Sequence, residues 1–227
     1  MSAQPRPVLT DPRGGVTVTN CVTEGTFSLD GGTWEVENNV WVVGNATECA
    51  VVDPAHDPDA VLAAVAGRTV THVLLTHGHD DHIKAVREFV ERAGTDAPVM
   101  MSHEDLMLWH AVHPEGPEPQ PLHDGQRIVA GTVAFTVLAT PGHSPGSVVF
   151  HAPDLGEHGV VFTGDTLFQG GPGATGRSYS DFPTIIESIE QRLLSLPEDT
   201  LVLPGHGEST TVGREKPHLP EWIARGS

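Results

Sequence analysis

The sequence has few cysteines, few basic residues and no long apolar run, and each shortage excludes a class of protein. Its two cysteines, Cys21 and Cys49, cannot build a disulfide framework. Twelve Lys and Arg residues stand against 30 Asp and Glu residues, and the resulting net charge of −18 argues against a nucleic-acid partner. No apolar stretch approaches the roughly 18 residues of a membrane helix, so membrane spanning is not expected.

The N-terminal residues lack the apolar stretch of a secretory signal. Residues 1–15 are rich in Pro and Arg, so we expect a flexible N-terminal segment and a cytoplasmic protein. The chain has 227 residues, of which 38% are hydrophobic and 19% are charged. These values predict one globular domain over residues 1–227.

Strand-like and helix-like segments are mixed without strict alternation. Helices are predicted over residues 58–66, 81–93, 103–112 and 182–196, the last with Asp181 as its N-cap and Pro183 in its first turn. Val-rich runs predict strands over residues 16–22, 39–43, 49–53, 71–75, 98–101, 132–138, 147–151, 159–163 and 200–203. The mixture favours a layered α/β architecture with largely antiparallel meanders over a doubly wound sheet.

Histidine is in excess, since 14 His residues outnumber the 12 Lys and Arg residues. Four predicted strands end on Gly next to His or Asp, where a sheet presents reactive groups and Gly lets the backbone turn sharply. The runs after these strands are Thr76-His77-Gly78-His79-Asp80-Asp81-His82, Thr140-Pro141-Gly142-His143, Thr163-Gly164-Asp165 and Pro204-Gly205-His206. Four convergent strand ends can build one site.

The spacing within the first run indicates metal ligation. His77 and His79 are two residues apart on a chain leaving a strand, so their imidazoles point the same way, while Asp81 and His82 face a second position. Imidazole and carboxylate ligands without thiolate suit zinc, iron or manganese. Two metals about 3.5–4 Å apart with a bridging carboxylate form a hydrolytic arrangement, and Asp165 is the natural bridge.

The remaining histidines carry no functional prediction, because a lone His is more often a packed or surface residue than a ligand. Asp80 has two interpretations: it caps the following helix, or it fixes the tautomer of a metal-binding His. The histidines without a predicted role are His56, His72, His103, His110, His113, His123, His151, His158 and His218.

These motifs resemble the metallo-β-lactamase superfamily, whose signature is an HxHxDH run followed by distant His, Asp and His residues. The resemblance extends from about residue 16 to residue 214 and implies a four-layer αβ/βα sandwich with the metals in the cleft between two sheets. β-Lactamases of the best-known class have Cys where this chain has Asp165, so antibiotic hydrolysis is not expected. The resemblance implies that His77, His79 and His143 hold one metal and Asp81, His82 and His206 a second, with Asp165 bridging.

Within that superfamily the chain is most similar to the glyoxalase II group, which hydrolyses thioesters of glutathione. A Gly-basic-x-Tyr element in that group contacts the thiol carrier, so the resemblance implies that Arg177 and Tyr179 bind substrate. Ile83-Lys84 departs from the Ala-Gly of that group, and Ile at this place is also seen in persulfide dioxygenases, which hold one iron. The matching runs are TPGHSPGS at residues 140–147, TGDTLF at residues 163–168, GRSY at residues 176–179 and PGHGESTTVGREK at residues 204–216.

The resemblance predicts a metal-dependent hydrolase that cleaves a glutathione- or mycothiol-type acyl thioester, which is a small anionic substrate. The expected cofactors are two divalent metal ions, with zinc as the first expectation and iron or manganese as alternatives. A metal-bridging hydroxide held by the ligand set attacks the carbonyl, with Asp81 and Asp165 as the catalytic carboxylates and Asp81 as a candidate proton acceptor. The thiolate then leaves with little acid assistance, because a free thiol has a pKa of about 8.5.

Three alternatives stay open at this point. A mono-iron persulfide dioxygenase would use His77, His143 and Asp165 as a face of two histidines and one carboxylate. A lactonase or phosphodiesterase of the same fold is the second alternative. A non-catalytic metal-binding or interaction module is the third.

Overall fold

Two β-sheets form the centre of the molecule. The computed structural model describes residues 4–226, and within that range one sheet has seven strands in sequential order and the other has six, in the order β15-β14-β11-β10-β9-β8. The first sheet consists of β1 (Arg6–Asp11), β2 (Val16–Leu29), β3 (Gly32–Gly44), β4 (Glu48–Val52), β5 (Thr69–Leu74), β6 (Val99–Ser102) and β7 (Gln120–Leu122). The second consists of β8 (Arg127–Ala130), β9 (Val133–Ala139), β10 (Val148–Ala152), β11 (Val160–Gly164), β14 (Leu201–Pro204) and β15 (Thr210–Thr211), and β12 (Leu167–Phe168) pairs separately with β13 (Gly171–Pro172).

Strand direction changes partway across each sheet. The predicted antiparallel meanders are present from β1 to β4 and from β8 to β11. From β4 to β7 the strands are parallel, and β14 is parallel to β11. Parallel neighbours need a crossover rather than a tight turn, which is why helical segments follow β4, β5, β6 and the β12–β13 pair.

Helices cover the outer faces of the two sheets. As predicted, the side chain of Asp181 caps α5 (Phe182–Ser188) by accepting a hydrogen bond from the Thr184 N–H, and a π-helical segment, Ile189–Leu193, continues that helix. Within residues 4–226, no helix has both the length and the apolar character that a membrane crossing requires. The helices are α1 (Pro58–Val65), α2 (Asp80–Ile83), α3 (Val86–Ala93), α4 (Leu106–Val112), α5 (Phe182–Ser188), α6 (Val212–Glu215) and α7 (Leu219–Arg225).

Alternating side chains on the strands create the layers. On β3, Val40 and Val42 belong to the core shared with α1 and α3, while Trp41 belongs to the core between the sheets. On β10, Phe150 faces the first sheet and Val149 packs in the core with α5. Because successive strand residues point to opposite faces, the central strands of each sheet are buried on both sides. The predicted four-layer αβ/βα sandwich is confirmed.

Two predicted segments differ from the structure. The expected flexible segment over residues 1–15 is wrong for Arg6–Asp11, which pairs with β2, and Asp11 then accepts hydrogen bonds from Arg13. Residues 1–3 lie outside the described part of the chain. The single helix predicted over residues 81–93 is divided into α2 and α3, because Ala85 between them has a ψ of −6° and interrupts the α-helical geometry.

The hairpin of β2 and β3 is longer than the strands predicted at residues 16–22 and 39–43. Its strands continue to a turn at Asp30 and Gly31, whose φ angles of 53° and 76° suit the two-residue turn of a twisted hairpin. Between residues 24 and 37 the side chains are exposed or partly exposed on both faces. No buried face therefore imposes an apolar alternation on this part of the sequence.

Candidate metal centre

The loops after β5 and β9 bring three imidazoles together. Nε2 of His77 lies 3.1 Å from Nδ1 of His79, which lies 3.0 Å from Nε2 of His143. All three residues are buried. Three ring nitrogens that converge in this way can bind one metal ion.

The first turn of α2 and the loop after β14 form a second ligand group. Nε2 of His206 lies 3.3 Å from Nε2 of His82 and 3.4 Å from Oδ2 of Asp81. Asp81 and His82 are fully buried, whereas His206 is partly exposed. This group combines two imidazoles with one carboxylate.

Asp165, directly after β11, lies between the two groups. Its Oδ1 is 3.4 Å from Nε2 of His82, and its Oδ2 is 3.3 Å from Nε2 of His206 and 3.5 Å from Nε2 of His143. Oδ1 is buried and receives no hydrogen bond from the residues that the structure describes. A carboxylate in this position can divide its oxygens between two ions, so all seven predicted ligands converge on one place.

The distances within both groups fit metal coordination. A tetrahedral zinc ion binds imidazole nitrogen at about 2.0–2.1 Å, which places neighbouring ligand atoms about 3.3 Å apart. The ligand atoms here are separated by 3.0 Å in the closest case and 3.5 Å between His143 and Asp165. Imidazole and carboxylate also suit iron and manganese, so the donor set fits two divalent metals without selecting one element.

The electrostatics of the site favour cations as well. Burial lowers the pKa of His77 well below its ordinary value and that of His79 to about 3, so both rings are neutral and have a lone pair to donate. Burial also opposes a charge on His82 and His206, but the neighbouring carboxylates outweigh it, and they raise the pKa of His206 to about 10. The second group therefore attracts positive charge, which divalent metals would supply in place of these protons.

Asp53 connects the two ligand groups from behind. It follows β4 with a left-handed backbone, φ 49°, and accepts hydrogen bonds from Nδ1 of His82 at 3.0 Å and from Oγ1 of Thr76 at 2.6 Å. Oγ1 of Thr76 in turn lies 3.1 Å from Nδ1 of His77 and accepts its proton. These bonds occupy Nδ1 of both rings and direct Nε2 toward the metal positions. Asp53 was not predicted, although a polar residue at the end of an apolar strand is the signal that identified the ligands.

Backbone carbonyls orient two further imidazoles. Nδ1 of His143 donates to the carbonyl of Ala174 at 2.9 Å, and Nδ1 of His206 donates to the carbonyl of Glu37 at 2.6 Å. In both rings Nε2 is thereby left to face the site. Every residue type has a backbone carbonyl, so no sequence motif identifies these two hydrogen-bond partners.

Asp105 ties the two loops of the first ligand group together. Its buried carboxylate accepts hydrogen bonds from the N–H of Gly78 at 2.8 Å, the hydroxyl of Ser144 at 2.6 Å and the N–H of Gly146 at 2.6 Å. Gly78 separates two ligands, and Ser144 follows a third. The carboxylate therefore fixes the relative position of loops from different sheets. Asp105 is 27 to 41 residues away from these partners in the sequence, so no local pattern predicts the contacts.

One histidine without a predicted role lies behind the second group. Nε2 of His56 contacts Oδ1 of Asn38 at 2.7 Å, and Nδ2 of Asn38 donates to Oδ2 of Asp81 at 3.0 Å. Burial lowers the pKa of His56 to about 4, so the ring is neutral. Asn38 thus supports the Asp81 carboxylate.

A cavity of about 320 Å³ opens above the ligands. Five candidate ligands form its floor, the β2–β3 hairpin forms one wall, and β12 with the segment after β13 forms the other. The floor residues are His79, Asp81, His143, Asp165 and His206; the wall residues are Phe27, Leu29, Trp34, Val36, Phe168, Ala174, Arg177, Ser178 and Ser180.

Of the two predicted substrate-binding residues, the structure places Arg177 at this cavity. Its guanidinium carbon lies 3.7 Å from the ring centroid of Trp34 and 5.7 Å from that of Phe27. Stacking of this kind holds the guanidinium plane while its N–H edge can still bind an anion. Tyr179 is 51% exposed, has a φ of 72° and is not among the described residues that line the cavity.

The residues around α2 have roles that the sequence left open. His79 occupies the N-cap position of α2, so Asp80 is not the cap, and its Oδ1 instead accepts a hydrogen bond from the N–H of Ser28 at 3.0 Å. Ile83 is fully buried in the core beneath the first sheet, so its identity does not shape the cavity. Lys84 contacts Thr26 of β2.

Comparison with known families agrees with this geometry. The model of the Metallo-beta-lactamase superfamily matches residues 33–206, a span that contains all seven ligands. The chain belongs to the metallo-β-lactamase superfamily. Members of this superfamily with recognisable sequence similarity include the hydroxyacylglutathione hydrolase GloC of Haemophilus influenzae, which is 30% identical over 202 residues, or 82% of this chain and 89% of GloC.

Solved structures of similar superfamily members include two with informative metal or substrate descriptions. TTHA1623, in a di-iron-bound form, is 34% identical with a TM-score of 0.70, over 80% of this chain and 93% of that chain. BLEG-1, described as a B3 metallo-beta-lactamase, is 30% identical with a TM-score of 0.72, over 88% of this chain and 99% of that chain. A two-metal centre in one of these proteins agrees with the paired ligand groups described above.

Proposed function

We propose that the protein hydrolyses the thioester bond between an acyl group and a low-molecular-weight thiol of the glutathione or mycothiol type. One observation carries the proposal: Asp165 lies between two convergent ligand groups, at the floor of a cavity whose wall holds Arg177. The similarity to GloC, a hydroxyacylglutathione hydrolase, supports the same reaction class.

The ligand residues perform most of the chemistry in this proposal. Two divalent metals, when bound, would lower the pKa of coordinated water toward about 7 and polarise the substrate carbonyl. Asp165 would share its oxygens between the metals, and Asp81 would accept a proton from water, since its carboxylate lines the cavity. Among the described residues, every carboxylate and imidazole that lines the cavity belongs to the proposed ligand set, so no separate acid is assigned to the leaving group. A thiolate leaving group, with a pKa of about 8.5 as the thiol, needs little acid assistance.

The cavity walls suit a substrate with an apolar part and a carboxylate. Phe27, Trp34 and Phe168 offer aromatic surface, and Arg177 offers a guanidinium fork that pairs with a carboxylate. A small anion also suits the site, because bound metals would concentrate positive charge there in a chain whose net charge is −18.

The test compares metal-free and metal-loaded protein on a panel of substrates. The panel contains S-lactoylglutathione, S-formylglutathione, acyl thioesters of mycothiol, an aliphatic lactone, a phosphodiester and a β-lactam. We expect metal-dependent turnover of at least one thioester with kcat/KM well above that of the other classes. Turnover confined to another class, or no turnover above the metal-free protein, would overturn the proposal.

Metal analysis separates the proposal from an oxygenase. We expect two metals per chain and no oxygen uptake on glutathione persulfide. One iron per chain with persulfide-dependent oxygen uptake would instead support a mono-iron centre at His77, His143 and Asp165.

A further inference from the structure

The β2–β3 hairpin extends over the metal centre and has an unpaired strand edge. β2 pairs with β1 only through residues 16–20, so among residues 4–226 no strand pairs with its outer edge beyond Asn20. The ring of Phe27 on this part of β2 lies 5.2 Å from the ring of His79 and 5.8 Å from the ring of Trp34 across the hairpin. The position of this strand therefore decides where the aromatic wall of the cavity lies.

Two side chains of the α2 segment bind the unpaired edge. Oδ1 of Asp80 accepts a hydrogen bond from the N–H of Ser28 at 3.0 Å. The ammonium group of Lys84 donates to the carbonyl oxygen of Thr26 and, at 3.1 Å, to Oγ1 of the same residue. Thr26 and Ser28 are two residues apart on a strand, so their backbone groups face the same edge. An acceptor in the first turn of α2 and a donor at its C-cap thus take the place of a partner strand at this edge.

The two anchors are adjacent to each other and to the metal ligands. Asp80 and Lys84 are four residues apart, and Nζ of Lys84 lies 3.8 Å from Oδ2 of Asp80. Asp80 directly precedes Asp81 and follows His79, both of which line the cavity. The segment that supplies ligands to both groups is therefore also the segment that holds the hairpin.

The hairpin tip is attached on the opposite side of the cavity. The carboxylate of Asp30 accepts hydrogen bonds from the N–H of Ser178 at 3.0 Å and from its hydroxyl at 2.6 Å. Ser178 follows Arg177, whose guanidinium stacks on Trp34 of the same hairpin. The hairpin consequently spans the cavity from α2 on one side to the Arg177 segment on the other.

We infer that Asp80 and Lys84 are positioning residues that hold the hairpin across the metal centre, so that Phe27, Trp34 and Arg177 form the surface that binds the non-reacting part of the substrate. The thiol-ester identity of that substrate rests on the proposed function; the placement of the hairpin does not. Because neither residue touches the reacting atoms, their contribution lies in substrate binding rather than in the chemical step.

Hydrogen–deuterium exchange on the metal-loaded full chain tests the positioning directly. Asp80→Ala removes the acceptor of the Ser28 N–H, and Lys84→Met removes the donor to Thr26 while keeping an aliphatic stem. We expect amides of residues 23–31 to exchange about tenfold faster in both variants, as for the loss of a charge-assisted hydrogen bond. Asp80→Asn retains an acceptor oxygen and should restore most of the protection. Lys216→Met, which changes an exposed lysine whose ion pair is with Glu198, is the matched control and should exchange like the unaltered protein.

Steady-state kinetics on a thioester that the unaltered protein turns over provides the second readout. We expect Asp80→Ala and Lys84→Met to raise KM about fivefold to tenfold with kcat within about twofold and metal content unchanged. Hairpin exchange equal to that of Lys216→Met in both variants would overturn the inference, and so would a loss of kcat with KM unchanged. Absence of thioester turnover in the unaltered protein contradicts the proposed function alone, because the exchange experiment needs no substrate.

Discussion

The carboxylate of Asp53 accepts the Nδ1 proton of His82 at 3.0 Å. Its two oxygens also accept hydrogen bonds from Thr76, one from the N–H at 2.8 Å and one from the hydroxyl at 2.6 Å. Both oxygens are therefore needed as acceptors. An amide of the same shape has only one acceptor oxygen, so it cannot satisfy the same donors.

Asp53→Asn should weaken metal binding about 10-fold to 100-fold, because its amide NH2 would face a donor of Thr76 or His82 and release one of the ligand rings. Competition with a chromophoric chelator measures the affinity. Asp199→Asn, at an exposed position, is the matched control. Equal affinities for the two variants would contradict the role assigned to Asp53.

Metal stoichiometry should depend on Asp165. The unaltered protein should bind two metals per chain. Asp165→Ala should bind one or none, because the substitution removes the carboxylate that both ligand groups share. Elemental analysis after gel filtration gives the ratio, with His123→Ala as a control at an exposed site. A ratio of two in Asp165→Ala would show that the carboxylate does not bridge.

Arg177 and Tyr179 should differ in their kinetic effects. Arg177→Met should raise KM about tenfold for a thioester that carries a carboxylate, since the stacked guanidinium is lost from the cavity wall. Tyr179→Phe should leave KM and kcat within about twofold, since Tyr179 is exposed outside the cavity. Steady-state kinetics with substrates that have and lack the carboxylate measure both. A larger effect at Tyr179 than at Arg177 would reverse the assignment made from the structure.

Acid should destabilise the protein partly through His151. Burial in β10 lowers the pKa of His151 below its ordinary value of 6.5. Below that value the unfolded chain binds a proton that the folded chain does not, so this contribution to stability is complete above about pH 6.5 and is lost as the pH falls.

The variant His151→Gln should therefore lose less stability than the unaltered protein when the pH is lowered from about 7 to about 5. Urea unfolding at the two pH values measures the difference in the free energy of unfolding. His123→Gln, which alters an exposed histidine, should follow the unaltered protein. If all three proteins lose the same stability, His151 does not contribute.

The candidate metal ligands could be selected from the sequence because the signal for each is local. His77, Asp165 and His206 all follow an apolar strand within a few residues and lie beside Gly, and a metal site requires the same residue types wherever it occurs. The cap of α5 was predictable for the same reason, since Asp181 contacts a residue three positions later. Local patterns of this kind can be recognised in a sequence without knowledge of the tertiary structure.

The hairpin and its anchors were not predictable in this way. Ser28 and Asp80 are separated by 52 residues, and Asp30 and Ser178 by 148, so only the folded chain shows that they meet. The outer half of the hairpin has no buried face, which removes the alternation that identifies a strand. The Asp30-Gly31 dipeptide favours a hairpin turn, but it carries no information about how long the hairpin is or which residues it covers.

The Nε2 atoms of His82 and His206 are 3.3 Å apart, although the two residues are separated by 124 positions in the chain. Closing so long a loop before the surrounding sheets exist is entropically unfavourable, so we expect the second ligand group to form late in folding. A chain that has assembled only its first sheet has His82 in place but neither Asp165 nor His206. Metal uptake by the refolding protein should accordingly follow the rate at which the two sheets dock and stay independent of metal concentration once metal is in excess.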